Sequence, residues 1–194
     1  MPASATRLQI IEAADHLFYS EGLAAVSMDR IAEHAGVTKK TLYYHFRSKD
    51  DLMGAYLNSR HGRVMERYHN WAGTSGTAAE RVERMFRCLA ESTRERSWRG
   101  CAFVRAACEL ADRPGHPAAL AARRHKTAFE QWLRDLLEGE GRANAAHLAR
   151  SLMVLLDGAI VQALIHRDTA YAEAAAGMAS VLLQRRSPIQ ADAA

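Results

Sequence analysis

Apolar positions recur at spacings of three and four along nearly the whole chain, and no stretch alternates with the period of two expected of a half-buried strand. The pattern predicts an all-α protein of about nine helices. The first, about Arg7 to Ser20, places Ile10, Ala13, Ala14, Leu17 and Phe18 on one stripe and stops at Gly22, a residue suited to the left-handed backbone past a helix end. A short second helix begins after Ser27 as its cap, turns Ile31 and Ala32 inward and ends at Ala35-Gly36. A third begins after Thr38 and runs to about Phe46. Ser48-Lys49-Asp50-Asp51 reads as a capping box opening a long helix toward Asn70, and Thr77-Ala78-Ala79-Glu80 as a second box opening a helix to about Glu95. Further helices are expected over Cys101 to Ala111, Pro117 to Glu138, about Asn144 to His166, and Tyr171 to Arg186. Ser187 to Ala194 reads as a frayed tail.

Helices two and three are short and separated by Ala35-Gly36-Val37, the spacing of a helix-turn-helix, whose second helix enters the major groove of DNA. A helical wheel sharpens this. Leu42 and Phe46 define the buried face together with Val37, while Lys40 and Tyr44 lie opposite and Thr41 and Tyr43 flank them. Such a face donates hydrogen bonds: lysine and tyrosine hydroxyls reach phosphate oxygens, and lysine also reaches guanine O6 and N7.

The 194 residues fit one or two domains with a core that needs no staple. Three cysteines, Cys88, Cys101 and Cys108, form no close-spaced pair and read as reduced thiols. Met1 to Arg7 lacks the features of a secretory signal, and the likeliest membrane segment, Ser151 to Ile165, is short and contains Asp157, so a cytoplasmic protein without a membrane span is expected. The net charge of +4 is thinly spread, nine Lys or Arg against eight acids up to Arg67 and 17 against 14 beyond. Locally the picture changes. From His34 to Lys49 the chain carries Lys39, Lys40, Arg47 and Lys49 without an acid, and three of its four lysines fall there. A solvated basic surface is the plain alternative. Lys39 and Lys40 also oppose the helix dipole in the first turn of their helix, a violation that bound phosphate would turn into a gain.

The stretch Ile10-Ile11-Glu12-Ala13-Ala14, Leu17-Phe18, Gly22, Ile31-Ala32-Glu33-His34-Ala35-Gly36-Val37, Thr41-Leu42-Tyr43-Tyr44-His45-Phe46 and Ser48-Lys49-Asp50-Asp51-Leu52 resembles the TetR/AcrR family of one-component regulators, over about residues 7 to 55. The resemblance implies DNA contacts by Thr38, Lys39, Thr41, Tyr43, Tyr44, His45 and Lys49, with Tyr43, His45 and Lys49 chiefly toward the backbone. Lys40 departs from the glycine that many members carry and adds a charge to the groove face. It also implies a helical ligand-binding and dimerisation domain after the DNA-binding one, giving residues 1–55, 56–186 and a tail 187–194. Gly73 to Gly76 is the clearest break, and along the chain the domain junction is placed at or just before this loop, with the long fourth helix reaching across.

The helix over about 144–166 is apolar on so many faces that one should meet its own core and another a partner, the alternative being burial within one monomer; the resemblance implies that helices 144–166 and 171–186 of two subunits form a four-helix interface of the kind the family uses. A two-fold dimer presents two reading helices about 34 Å apart to a palindrome. His125, Phe129, Trp132 and Leu136 form a stripe that is either core or pocket wall; Phe103, Arg105 and Cys108 could line the same pocket with His125, Phe129 and Trp132. Arg105 there would meet an anionic group, or else pair with Glu109 at the surface. Cys108, Glu109, His116 and His125 have no spacing that makes a compact metal site. The expected function is a ligand-responsive regulator, a repressor that binds a palindromic operator as a homodimer and is released by a small molecule. A helical-bundle enzyme would need a catalytic constellation, and no phosphate loop, paired carboxylate-histidine set, cofactor motif or nucleophile elbow is found. A small-molecule-binding protein whose helix-turn-helix is only structural is the remaining alternative, against which the Lys39 to Lys49 surface stands.

Overall fold

The computed structural model describes residues 4–184, so the expected tail and the end of the last helix at Arg185 and Arg186 lie outside the described residues, as do Met1 to Ala3. Among the described residues there are nine helices and no strand: α1 (Ala5–Glu21), α2 (Met28–His34), α3 (Lys39–His45), α4 (Lys49–Ala72), α5 (Ala78–Ser92), α6 (Ala102–Glu109), α7 (Pro117–Glu138), α8 (Ala145–His166) and α9 (Ala170–Gln184). They group by packing into two compact units, Met1–Val64 with Cys101–Lys126, and Met65–Gly100 with Thr127–Ala194. The first unit is therefore assembled from two separate stretches of chain, and α4 and α7 each contribute to both units.

Side chains written next to the starts of α1, α2, α3 and α4 set those boundaries in the first unit. Ser4, Ser27 and Thr38 accept from the backbone N–H three residues on, satisfying donors that the first turn of a helix leaves free. Ser48 accepts from Asp51 N–H in the same way at the head of α4. Between α2 and α3 the turn is closed by Val37 N–H on the Ala32 carbonyl and Gly36 N–H on that of Glu33, with Gly36 at φ +63. This is the paired bond pattern that ends a helix with a left-handed residue. The Gln9 amide donates to the Ala35 carbonyl at 2.7 Å and pins the turn to α1. Beneath it Ile10, Phe18, Ile31, Leu42 and Phe46 are buried, with Val37 half-buried at their edge.

The first stretch of α4 is held on α1 by Tyr56 packed against Phe18 and by Arg60, which bonds Asp15 at 2.6 Å and lies 3.9 Å above the Tyr19 ring. Burial raises the Tyr56 hydroxyl above its usual range, so it stays protonated. Residues 101–126 complete the unit. The turn leading into α7 reaches the head of α4: Arg113 bonds Asp50, and the fully covered His116 side chain places Nε2 3.1 Å from the other Asp50 oxygen while its Nδ1 accepts from Ala118 N–H. Arg113 and then His116 hold the Asp50 carboxyl below its usual range.

In the second unit Thr77 and Glu80 form a complete capping box at the head of α5, α9 packs on both α5 and α8, and the alanine stripe Ala172, Ala175 and Ala179 is buried. Those small residues admit a neighbouring helix inside the same unit. Tyr68, Trp71, Phe129 and Trp132 make an aromatic cluster. The 22-residue α8, with nine residues buried, is longer than the fifteen-residue apolar segment considered from sequence and is apolar enough to cross a membrane by length and composition alone; here it packs against α9.

Candidate nucleic-acid interface

Only Leu42 of α3 is buried, so the helix is held by one side chain, by Phe46 just beyond it and by the turn before it. The rest of its surface is available. Tyr44 is 84 % exposed, a rare state for a large aromatic, and Tyr43 beside it is also exposed. The Tyr44 and His45 rings meet edge to face at 5.1 Å. Lys40 is exposed and makes no ion pair among the described residues. Thr38 and Thr41 share a hydroxyl-hydroxyl bond of 2.8 Å, which orders both at the start of the helix. A short, firmly based helix thus presents ammonium, phenol and hydroxyl donors together.

Two of the lysines are engaged differently from the sequence expectation. Lys39 lies 2.8 Å from Asp29 of α2, which holds its ammonium above the usual range by a hydrogen bond and by charge. The acid-free run from His34 to Lys49 is acid-free only along the chain, and the dipole conflict at Lys39 is eased by an acid from the preceding helix. Lys49 donates to the Ala24 carbonyl at 3.1 Å, ties the α1–α2 turn to the head of α4, and has its ammonium lowered by burial. Arg47 is exposed without an ion pair among the described residues; the sequence reading counted its charge but left it out of the contact set. It directly follows Phe46, which is buried where the chain leaves α3, so a second unpaired cation stands at the far end of the helix from Lys40.

The residues expected to line a ligand pocket fall in both units. In the first unit Phe103 and His125 are buried and stacked at 3.6 Å with rings 9° apart, and His125 Nδ1 lies 3.0 Å from His61 Nδ1. Burial first, then the charges of Lys126 and His61, lower His125 to about 3, so it is neutral at physiological pH. Arg105 donates to the Tyr19 carbonyl at 2.7 Å, and Glu109 accepts from Leu23 and Ala24 N–H at 2.9 and 3.0 Å. The two side chains converge on the turn after α1, an arrangement neither of the sequence alternatives contained. Cys108 is exposed. In the second unit Phe129 is buried and Trp132 half-buried, their rings 5.5 Å apart. Of the four residues weighed as metal ligands, His116 is engaged with Asp50, His125 with His61 and Glu109 with backbone N–H groups.

Residues 10–56 match the family model for bacterial regulatory proteins of the TetR family. Over 59 residues the chain is 49 % identical to the HTH-type transcriptional regulator TtgR of Pseudomonas putida, across 30 % of this chain and 28 % of that relative. The sequence likeness therefore spans less than a third of the relative's length. Similarity in structure runs much further. A TetR-family transcriptional regulator from Streptomyces coelicolor superposes with a TM-score of 0.84 at 31 % identity, covering 94 % of this chain and 96 % of that one. A putative TetR transcriptional regulator from Streptomyces avermitilis gives a TM-score of 0.85 at 27 % identity, covering 94 % and 98 %.

Proposed function

Because the chain belongs to the TetR family of transcriptional regulators, we propose that it binds double-stranded operator DNA as a homodimer through α3 and acts in the cytoplasm as a repressor released by a small molecule, with no enzymatic activity. Members of this family bind DNA as dimers and respond to small-molecule effectors. The observation that carries the reading is the free face of α3, where Tyr44 stands 84 % exposed beside an unpaired Lys40. Thr38, Thr41, Tyr43 and His45 complete the contact set, with Arg47 added. Lys39 and Lys49 are bonded within the unit, so they serve the backbone and the scaffold together.

The dimer reading rests on α8 and α9. Val154, Gly158, Val161 and Ile165 recur at helical spacing on the side of α8 away from the buried residues, with Val154 68 % exposed; Tyr171, Ala174, Met178 and Val181 do the same on α9, with Met178 52 % exposed. A second copy covers these stripes. The two reading helices then face successive major-groove turns of a palindrome. An effector that favours the other spacing opposes operator binding by about 1.4 kcal/mol for each factor of ten in preference. Phe103 and His125, stacked within the first unit, remain candidate effector contacts from the sequence reading.

A double substitution tests the reading helix. Lys40→Ala with Tyr44→Ala is expected to abolish the gel shift of a palindromic fragment from the DNA flanking the gene, while circular dichroism and sedimentation stay unchanged, since neither side chain is buried. Undiminished binding by a folded variant refutes the assignment of α3 as reading helix.

A further inference from the structure

The first unit also carries a concave surface that includes no residue of α3. Between α1, the head of α4 and the start of α7 lies a cleft of about 610 Å3, within the range that accepts a drug-sized molecule. A close approach lies within it: a Cβ at Gly54 would come 2.8 Å from the Pro117 Cβ, so α4 and α7 touch there, and both residues line the cleft. Its walls are mixed. Of the large hydrophobic side chains exposed in this unit, two belong to the reading helix, Tyr43 and Tyr44, and the other two, Leu8 and Leu120 at 48 % and 41 %, both line this cleft. Ile11 continues the apolar wall inward.

Charge decides what fits. Arg7 lies 4.9 Å above the Phe46 ring and has no carboxylate partner among the described residues, and Arg124 donates only to the Asn58 side-chain oxygen, at 3.0 Å. Two guanidinium groups with donors to spare thus border exposed leucines, against one carboxylate, Asp51. Guanidinium groups of this kind bind carboxylate, sulfonate or phosphate oxygens in charge-assisted pairs, and the leucines take an apolar body. We propose that this cleft is a binding site for a small amphipathic anion, held by Arg7 and Arg124 with its apolar part over Leu8, Ile11 and Leu120. Inorganic anions or DNA phosphate would use only the cations and leave the leucines bare. Because Arg7, Leu8 and Ile11 belong to α1, the occupant touches the helix on which the DNA-reading pair is built. The site does not depend on the operator assignment.

The test uses the full chain with labelled leucine methyl groups, observed by NMR during titration with three probes: 1-anilinonaphthalene-8-sulfonate, its uncharged counterpart N-phenyl-1-naphthylamine, and inorganic sulfate. The sulfonate dye is expected to shift the Leu8 and Leu120 methyl signals saturably, more tightly than the uncharged dye, with sulfate leaving them in place. Arg7→Gln at a half-buried position or Arg124→Gln at an exposed one should weaken the dye at these methyls at least about fivefold and leave the uncharged dye unchanged. Unmoved methyls, equal affinity for the two dyes, an equal response to sulfate, or an affinity indifferent to both arginine variants each overturns the proposal.

Discussion

Gly36 shows how far one residue's backbone can matter. Its φ of +63 closes the turn between α2 and α3, yet a Cβ added there meets nothing within 4 Å, so replacement by alanine is a conformational penalty free of steric clash. Gly36→Ala is expected to destabilise the protein by about 1–2 kcal/mol in denaturant unfolding. His125 offers a second case, read through pH. Its folded value near 3 lies below the ordinary 6.5, so above about pH 6.5 it is neutral in both states and contributes nothing to pH dependence. As pH falls below that, the unfolded chain takes up a proton that the folded one refuses, and stability declines toward the folded value. At pH 5 the loss from this group is about 2 kcal/mol. His125→Asn, which keeps a polar atom toward His61, should flatten the fall in unfolding free energy between pH 7 and 5, measured at one protein concentration. An unchanged slope would mean that another group carries it.

Among the elements, those whose ends are written locally were legible from sequence. Ser27, Thr38 and Thr77 cap the helices they were expected to cap, and Pro117 to Glu138 was found at both ends because proline and a following glycine mark it. Partners distant along the chain were not legible. Nothing near Glu109 indicates that its carboxylate accepts from Leu23 and Ala24, 86 and 85 residues away, nor does the charge run containing Lys39 disclose Asp29, which joins it only when α2 and α3 fold against each other. The wheel of α3 succeeded for the opposite reason, since a seven-residue helix with one buried leucine leaves few ways to turn. Glu109 also gives an element-level prediction. Glu109→Ala removes acceptors from two N–H groups at the turn after α1 and should lower stability by about 1–2 kcal/mol in thermal unfolding, whereas Glu109→Gln, which keeps one acceptor oxygen, should lose less.

For the molecule as a whole, the expected assembly ties affinity to both charge and symmetry. Operator affinity should fall linearly with the logarithm of salt concentration as counterions are released, and Arg47→Ala should shrink that slope by about two in the homodimer, one phosphate contact for each protomer. A slope identical to that of the parent protein would remove Arg47 from the interface. Val154→Glu with Met178→Glu places charge on both exposed stripes, and is expected to yield a helical monomer by sedimentation that has lost operator binding along with its partner.

The discontinuous make-up of the first unit bears on how this protein can be recombined with others. A fusion that cut the chain at residue 55 and joined the leading segment to a foreign sensing bundle would leave behind Arg105 on the Tyr19 carbonyl, Glu109 on the turn after α1, and Arg113 and His116 on Asp50. The transplanted head would keep α3 but lose the buttress that fixes the helices around it. A portable version has to carry residues 101–126 as well, which makes the exchangeable module of this regulator a pair of segments and the natural crossover points Val64, Gly100 and Lys126.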